Sequence, residues 1–283
     1  MRKLLLLACV LFLSPAVLIF AEPADAFQVR VEPHTVESGD PFLIRIIGLD
    51  KELYPEASFA GRTLSFVRCG EDCSAAIGAA DVTLKPGRYK ITVSSGKKKK
   101  RVYITVRHYA APVIHIALPP DKATLSPGDE ERVVREEYLL KTLWKEQTDK
   151  MWKGSFELPL QNGISAQFGV KRIINKEKIS FHRGIDIRGG KGEEVRASNN
   201  GTIVLSEDLF FGGNTLIVSH GMGIFTVYMH LDRFCRNAGE KVLKGDIIGF
   251  VGSTGRSTGP HLHFGVKVQD ASVNPVAFTK LKL

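Results

Sequence analysis

Cysteine is scarce, with four in 283 residues. Cys69 and Cys73, the one close pair, have no two further ligands nearby, which excludes a structural metal knuckle. Acidic residues are also short, 30 against 39 lysines and arginines, leaving a formal charge of +9. The run Lys97-Lys-Lys-Lys-Arg101 lacks interleaved aromatics, so it reads as a solvated hairpin or strand edge and not as a nucleic-acid contact. No internal repeat is present, which removes solenoid architectures. Residues 27–107 carry no cluster of titratable side chains that could do chemistry. What the chain does hold is a basic start, many short alternating runs, and histidines concentrated toward its end.

Met1-Arg-Lys3 followed by the apolar run Leu4 to Phe20 reads as a signal peptide over residues 1–26, with Ala24-Asp-Ala26 as the cleavage site. Uncleaved, the run is near the length needed to anchor the chain in a membrane. Cleavage would remove Arg2 and Lys3 but also Glu22 and Asp25, so the charge of +9 persists. An exported basic protein suits an anionic partner such as the cell wall or a membrane surface. Export also favours a local disulfide between Cys69 and Cys73, which leaves Cys235 as an expected buried thiol.

The fold expected is mainly β. Over residues 27–107, short alternating runs such as Phe42-Leu-Ile-Arg-Ile-Ile and Val102-Tyr-Ile-Thr-Val are split by turn residues, predicting an immunoglobulin-like β-sandwich. Residues 108–150 read as a Pro-containing linker and a connecting helix. Ser126 would be the N-cap and Pro127 the first helical residue, with apolar positions recurring to Met151 and Gly154 marking the stop. Residues 151–283 are β-rich again, with glycine-marked turns suited to an antiparallel sheet around a groove. The linker offers a boundary, so a chain starting near residue 125 is expected to fold by itself.

Chemistry gathers in that last stretch. Gly252-Ser-Thr-Gly-Arg-Ser-Thr-Gly-Pro260 runs into His261-Leu-His263-Phe264, and strand alternation puts His261 and His263 on one face. Upstream, Phe181-His182-Arg-Gly-Ile-Asp186 places a histidine and a carboxylate on one face of extended chain. Tyr228-Met-His230-Leu231 closes a third alternating run. His182, Asp186 and one of the paired histidines would give zinc three protein ligands with a fourth position open. His220, at a Ser-His-Gly turn, reads as structural, and His34, His108 and His115 lie outside these segments.

With these pieces in this order, residues 151–283 resemble the lysostaphin-like zinc endopeptidases, which cut peptides of bacterial cell walls. Gly212-Gly-Asn214 and Lys244-Gly-Asp-Ile-Ile-Gly249 fit the same pattern, while Gly265 departs from it where many members carry an acidic residue. The resemblance implies His182, Asp186 and His263 as zinc ligands, and His230 and His261 as the catalytic pair. It implies a zinc endopeptidase acting on peptidoglycan peptides; the N-terminal segment adds export to the periplasm or the outside, and the basic surface or that segment left uncleaved adds association with the envelope. The alternative is a non-catalytic relative that binds wall or activates a separate hydrolase.

Overall fold

The computed structural model describes residues 27–49, 52–117, 125–176 and 178–282. The expected signal peptide lies outside these residues. The fold is mainly β, and the first half consists of two facing sheets. One orders Gln28–Glu32, Pro41–Ile47, Cys73–Ala79 and Phe66–Arg68. The other orders Thr35–Glu37, Lys98–Arg107, Gly87–Ser95, Glu56–Phe59 and Arg62–Leu64. Alternation sends Phe42, Ile44 and Ile46 from the first sheet against Ile91, Val93, Ile104 and Val106 from the second. Phe42 meets Phe59 edge to face, with ring centroids 4.9 Å apart. Cys69 and Cys73 form a disulfide, whereas Cys235 is exposed at the end of a long strand instead of buried.

Strand Pro41–Ile47 is almost continuously apolar because both of its faces are covered. Leu43 turns away from the sandwich core and, with Ile77 and Ala79, enters one apolar cluster with Phe168, Val273 and Phe278. Backbone bonds follow the same route, since Asn274 N–H donates to the Gly39 carbonyl at 2.7 Å. Arg45 donates to the carbonyl of Lys282 at 2.6 Å. Gly39 has φ +101°, and the Phe168 ring occupies the space a side chain there would need. The two halves therefore share a packed core, so the boundary expected to separate them is bridged by contacts.

Two local expectations change. The segment read as a linker contains strand Val113–Ile116, paired in parallel with Lys171–Ile174. Four residues pairing with a hairpin almost sixty positions away leave little local trace. The helix starts on Ser126 as expected, its side chain accepting from Asp129 N–H, but spans Pro127–Leu143 and stops well before Gly154. Beyond it the chain is drawn into extended pairing: Met222 N–H donates to Thr148 and Met151 N–H to His220.

The second half is built on an antiparallel sheet. Its main order is Ile164–Ala166, Ile185–Arg188, His261–Val268, Ile224–Phe234, Gly213–Gly221, Gly201–Leu209 and Lys241–Val242. Tyr228, Leu262, Phe264 and Val266 face the main core. Phe225 and Val227 point the other way and are covered by Leu143 and Trp144 at the helix end. Further along that second face, Met229 pairs with His263. The helix thus covers one end of the face and leaves the histidine end open.

Candidate metal centre

Strand register assembles half of the centre. Asp186 lies directly opposite His263, and Arg188 directly opposite His261, so all four side chains share the open face. His182 enters from the end of the neighbouring hairpin, pinned on both sides of its peptide: its N–H donates to Val170 at 2.9 Å and its carbonyl accepts from Gly169 at 2.8 Å. Gly184 permits the approach, because a Cβ there would lie 2.6 Å from His263 Nε2.

Three ligand atoms then converge. His182 Nε2 is 3.0 Å from Asp186 Oδ1 and 3.0 Å from His263 Nδ1, and the last two are 2.9 Å apart. Four tetrahedral ligands about 2.05 Å from a zinc ion would sit about 3.3 Å apart, so this triangle needs only slight widening to hold one. The tautomer also fits. His182 Nδ1–H donates to the Gln167 carbonyl at 2.8 Å, which leaves the Nε2 lone pair facing Asp186 and His263. Burial works to raise the Asp186 carboxyl, but the contacts with His182 and His263 prevail and hold it well below the usual carboxylate range. Burial foremost lowers the pKa of His263. Anionic oxygen beside neutral imidazole is the donor set that a divalent cation takes.

His230 and His261 stand beside this triangle without joining it. Their rings are 4.9 Å apart, and His230 is 6.2 Å from the His263 ring. His261 Nε2 comes no nearer to Asp186 Oδ1 than 3.9 Å, while its Nδ1–H donates to the Gly259 carbonyl at 2.8 Å. His230 Nδ1–H donates to the Thr254 carbonyl at 2.8 Å. In the neutral form each ring is therefore left with an unprotonated Nε2. Burial pushes the His230 pKa down to about 4, so it is neutral near pH 7.

His230 reaches this face only through a distortion. Strict alternation would place it with Tyr228, toward the core. Instead, Tyr228 pairs with Leu216 and Leu231 with Asn214, so two residues of one strand oppose one of the other. His230 takes φ +65° at this bulge, and its N–H donates to Gly212. The glycine-rich loop clamps the same place: Asn214 N–H donates to Thr254 Oγ1, which donates to the Leu231 carbonyl.

The structure thus brings together His182, Asp186, His230, His261 and His263, while His34, His108 and His115 lie in other segments. Gln167 and Thr254, whose carbonyls orient two of the rings, were not legible in the sequence, since a backbone acceptor leaves no side-chain signature. Asn214 and Gly212 had a trace in the Gly212-Gly-Asn214 segment. His220 is fully buried behind the sheet, its Nδ1 on the Asn200 carbonyl and its Nε2 on Thr226, whose hydroxyl lies 3.0 Å from that of Tyr228.

That buried network has a measurable pH signature. Burial lowers the His220 pKa to about 4, whereas an unfolded histidine titrates near 6.5. As pH falls below 6.5 the unfolded chain takes the proton first, so stability present above 6.5 is lost progressively toward pH 4. At roughly 1.4 kcal/mol per pKa unit, the loss is on the order of 3 kcal/mol. Urea midpoints measured from pH 7 to 4.5 should fall less steeply for His220→Gln than for the parent; equal slopes would refute the assignment.

Residues 180–275 match Peptidase family M23. Over 127 residues the chain is 41% identical to the DD-carboxypeptidase/endopeptidase Mpg of Neisseria meningitidis, covering 44% of this chain and 29% of that protein. Over 112 residues it is 36% identical to the peptidoglycan DD-endopeptidase ShyA of Vibrio cholerae, covering 39% and 26%. The chain therefore spans less than a third of the length of these curated relatives. A solved Pseudomonas aeruginosa structure assigned to peptidase M23 superposes with a TM-score of 0.67 at 25% identity, covering 84% of this chain and 92% of that one. That likeness extends through both halves of the fold.

Proposed function

We propose, from the premise that residues 180–275 are a peptidase family M23 domain, that this protein is an exported zinc-dependent endopeptidase acting on peptide bonds of peptidoglycan. One observation carries the reading: His182 Nε2, Asp186 Oδ1 and His263 Nδ1 converge within hydrogen-bonding distance of one another, with two oriented, non-converging histidines beside them. Those three atoms would hold the metal. Bound zinc supplies an activated water, with its pKa lowered toward about 7, and a Lewis acid for the peptide carbonyl. His230 and His261, each fixed by a carbonyl at Nδ1, present Nε2 to the same space. Such a group takes a proton from a nucleophile, passes it to the departing amine, or stabilises the developing oxyanion once protonated. Ser165, Thr258, Gly259 and Pro260 line an open pocket next to them. Gly259 and Pro260 there offer little side chain to obstruct an extended peptide.

Association with an anionic envelope is part of the same proposal. Arg88, Lys90, Lys99, Arg101 and Tyr103 lie on the outward face of the five-stranded sheet, since their alternate neighbours Ile91, Val93, Val102 and Ile104 point into the sandwich. That sheet is the one turned away from the peptidase half, which packs against the other sheet.

Digestion of purified peptidoglycan, with mass spectra of the released fragments, tests the function. Cross-linked peptides should be cut without new reducing sugar ends. Chelation should abolish cleavage, and zinc add-back should restore it. Full cleavage by a verified metal-free sample, or cleavage of glycan in place of peptide, would overturn the proposal.

A further inference from the structure

Resting on that reading, we infer that Arg188 is a specificity residue that takes a carboxylate of the substrate next to the scissile bond. Its place in the sheet carries the argument. Arg188 is two residues beyond Asp186 and directly opposite His261, so it projects from the same face as the metal triangle. One same-face step along a strand is about 6.8 Å, so the Arg188 backbone stands about that far from that of Asp186, within the reach of a long side chain. Arg188 lines the open pocket together with Asp186, His261 and Thr258.

The guanidinium is also available. Other cations around this rim are engaged: Lys191 with Asp232 at 3.2 Å, Arg233 on the Phe250 ring, and Arg256 over Phe211. Glu193 lies close to the Arg188 backbone through Asn162, but its carboxylate accepts from Asn162 and from Gly190 N–H. Among the described residues no carboxylate comes within ion-pair distance of Arg188, and Asp186 directs Oδ1 to the two histidines. The backbone holds the position firmly, with Arg188 N–H donating to Gly163 and its carbonyl accepting from Asn162. A fixed strand thus presents an unpaired, planar five-donor fork into a peptide pocket, which is suited to two parallel bonds with a carboxylate. A terminal α-carboxylate and an acidic side chain beside the scissile bond offer that same chemistry.

The test uses the zinc-loaded full chain and a stem-peptide analogue made in three forms: free acid, C-terminal amide and side-chain amide. Both binding and turnover are measured, together with zinc content. The parent should prefer one carboxylate form over its amide by tenfold or more in kcat/KM, mainly through KM. The amide that loses the preference identifies the source. Arg188→Gln should bring the ratio toward one with zinc content kept, and Arg188→Lys should restore part of it. Equal acid-to-amide ratios for the parent and Arg188→Gln, zinc loss in Arg188→Gln, or no binding of any form would each overturn the assignment. Binding that shows the Arg188-dependent preference without any turnover would retire the proposed function and leave the carboxylate site standing.

Discussion

His263→Ala is expected to strip the metal from the protein, and His261→Ala to leave it bound while turnover collapses. The two residues share one strand and one face, separated only by Leu262. Distance divides them: His263 Nδ1 is 2.9 Å from Asp186 Oδ1, whereas His261 Nε2 is 3.9 Å away with its Nδ1 tied to Gly259. Losing one of three protein ligands should weaken zinc binding by more than the roughly 10–100-fold that removing a supporting partner costs. If His261 handles protons or stabilises the oxyanion as proposed, its loss should lower kcat by about 10²–10⁴-fold. Zinc content and cleavage rate measured on each purified variant decide the matter. Metal lost from the His261 variant and kept by the His263 variant would reverse the pair. Full activity in both would move the site elsewhere.

At His230, two substitutions should cost the same activity and yet differ in stability. Both His230→Ala and His230→Gly remove the free Nε2, so both should lose about 10²–10⁴-fold in turnover while keeping zinc, since the triangle is untouched. Their backbones differ. At φ +65° a residue with a Cβ is strained by about 1–2 kcal/mol, and glycine is not. His230→Gly should therefore unfold at higher urea than His230→Ala, by about 1 kcal/mol. Equal midpoints would show that the bulge stores no strain, and an active variant of either kind would remove His230 from the chemistry.

Much of this centre was legible because its signals are local. Pro260 ends the glycine-rich loop, and the apolar alternation of Leu262 and Phe264 assigns His261 and His263 to the opposite face before any fold is known. Asp186 and Gly184 follow the same rule. His230 does not, because alternation sends it inward with Tyr228. A bulge depends on how two strands register, and one strand's residues do not encode that alone. The strand Val113–Ile116 is hidden from the sequence for a related reason, as its pairing partner lies far along the chain. The helix ends at Leu143 although Gln147 and Met151 fit a helical period, because tertiary pairing of Thr148 and Met151 prevails over that pattern. Cys235 shows the limit of treating a leftover thiol as core.

Leu43, Ile77 and Ala79 belong to the same apolar cluster as Phe168 and Phe278, and Gly39 and Arg45 are bonded to the C-terminal segment. Heat would accordingly find no seam along which to melt one half before the other, and calorimetry should record one cooperative endotherm. A second half excised at residue 125 would uncover the side of Phe168 that packs on Gly39. Its first failure would be clumping through that uncovered patch, with His182, His230, His261 and His263 still in their places.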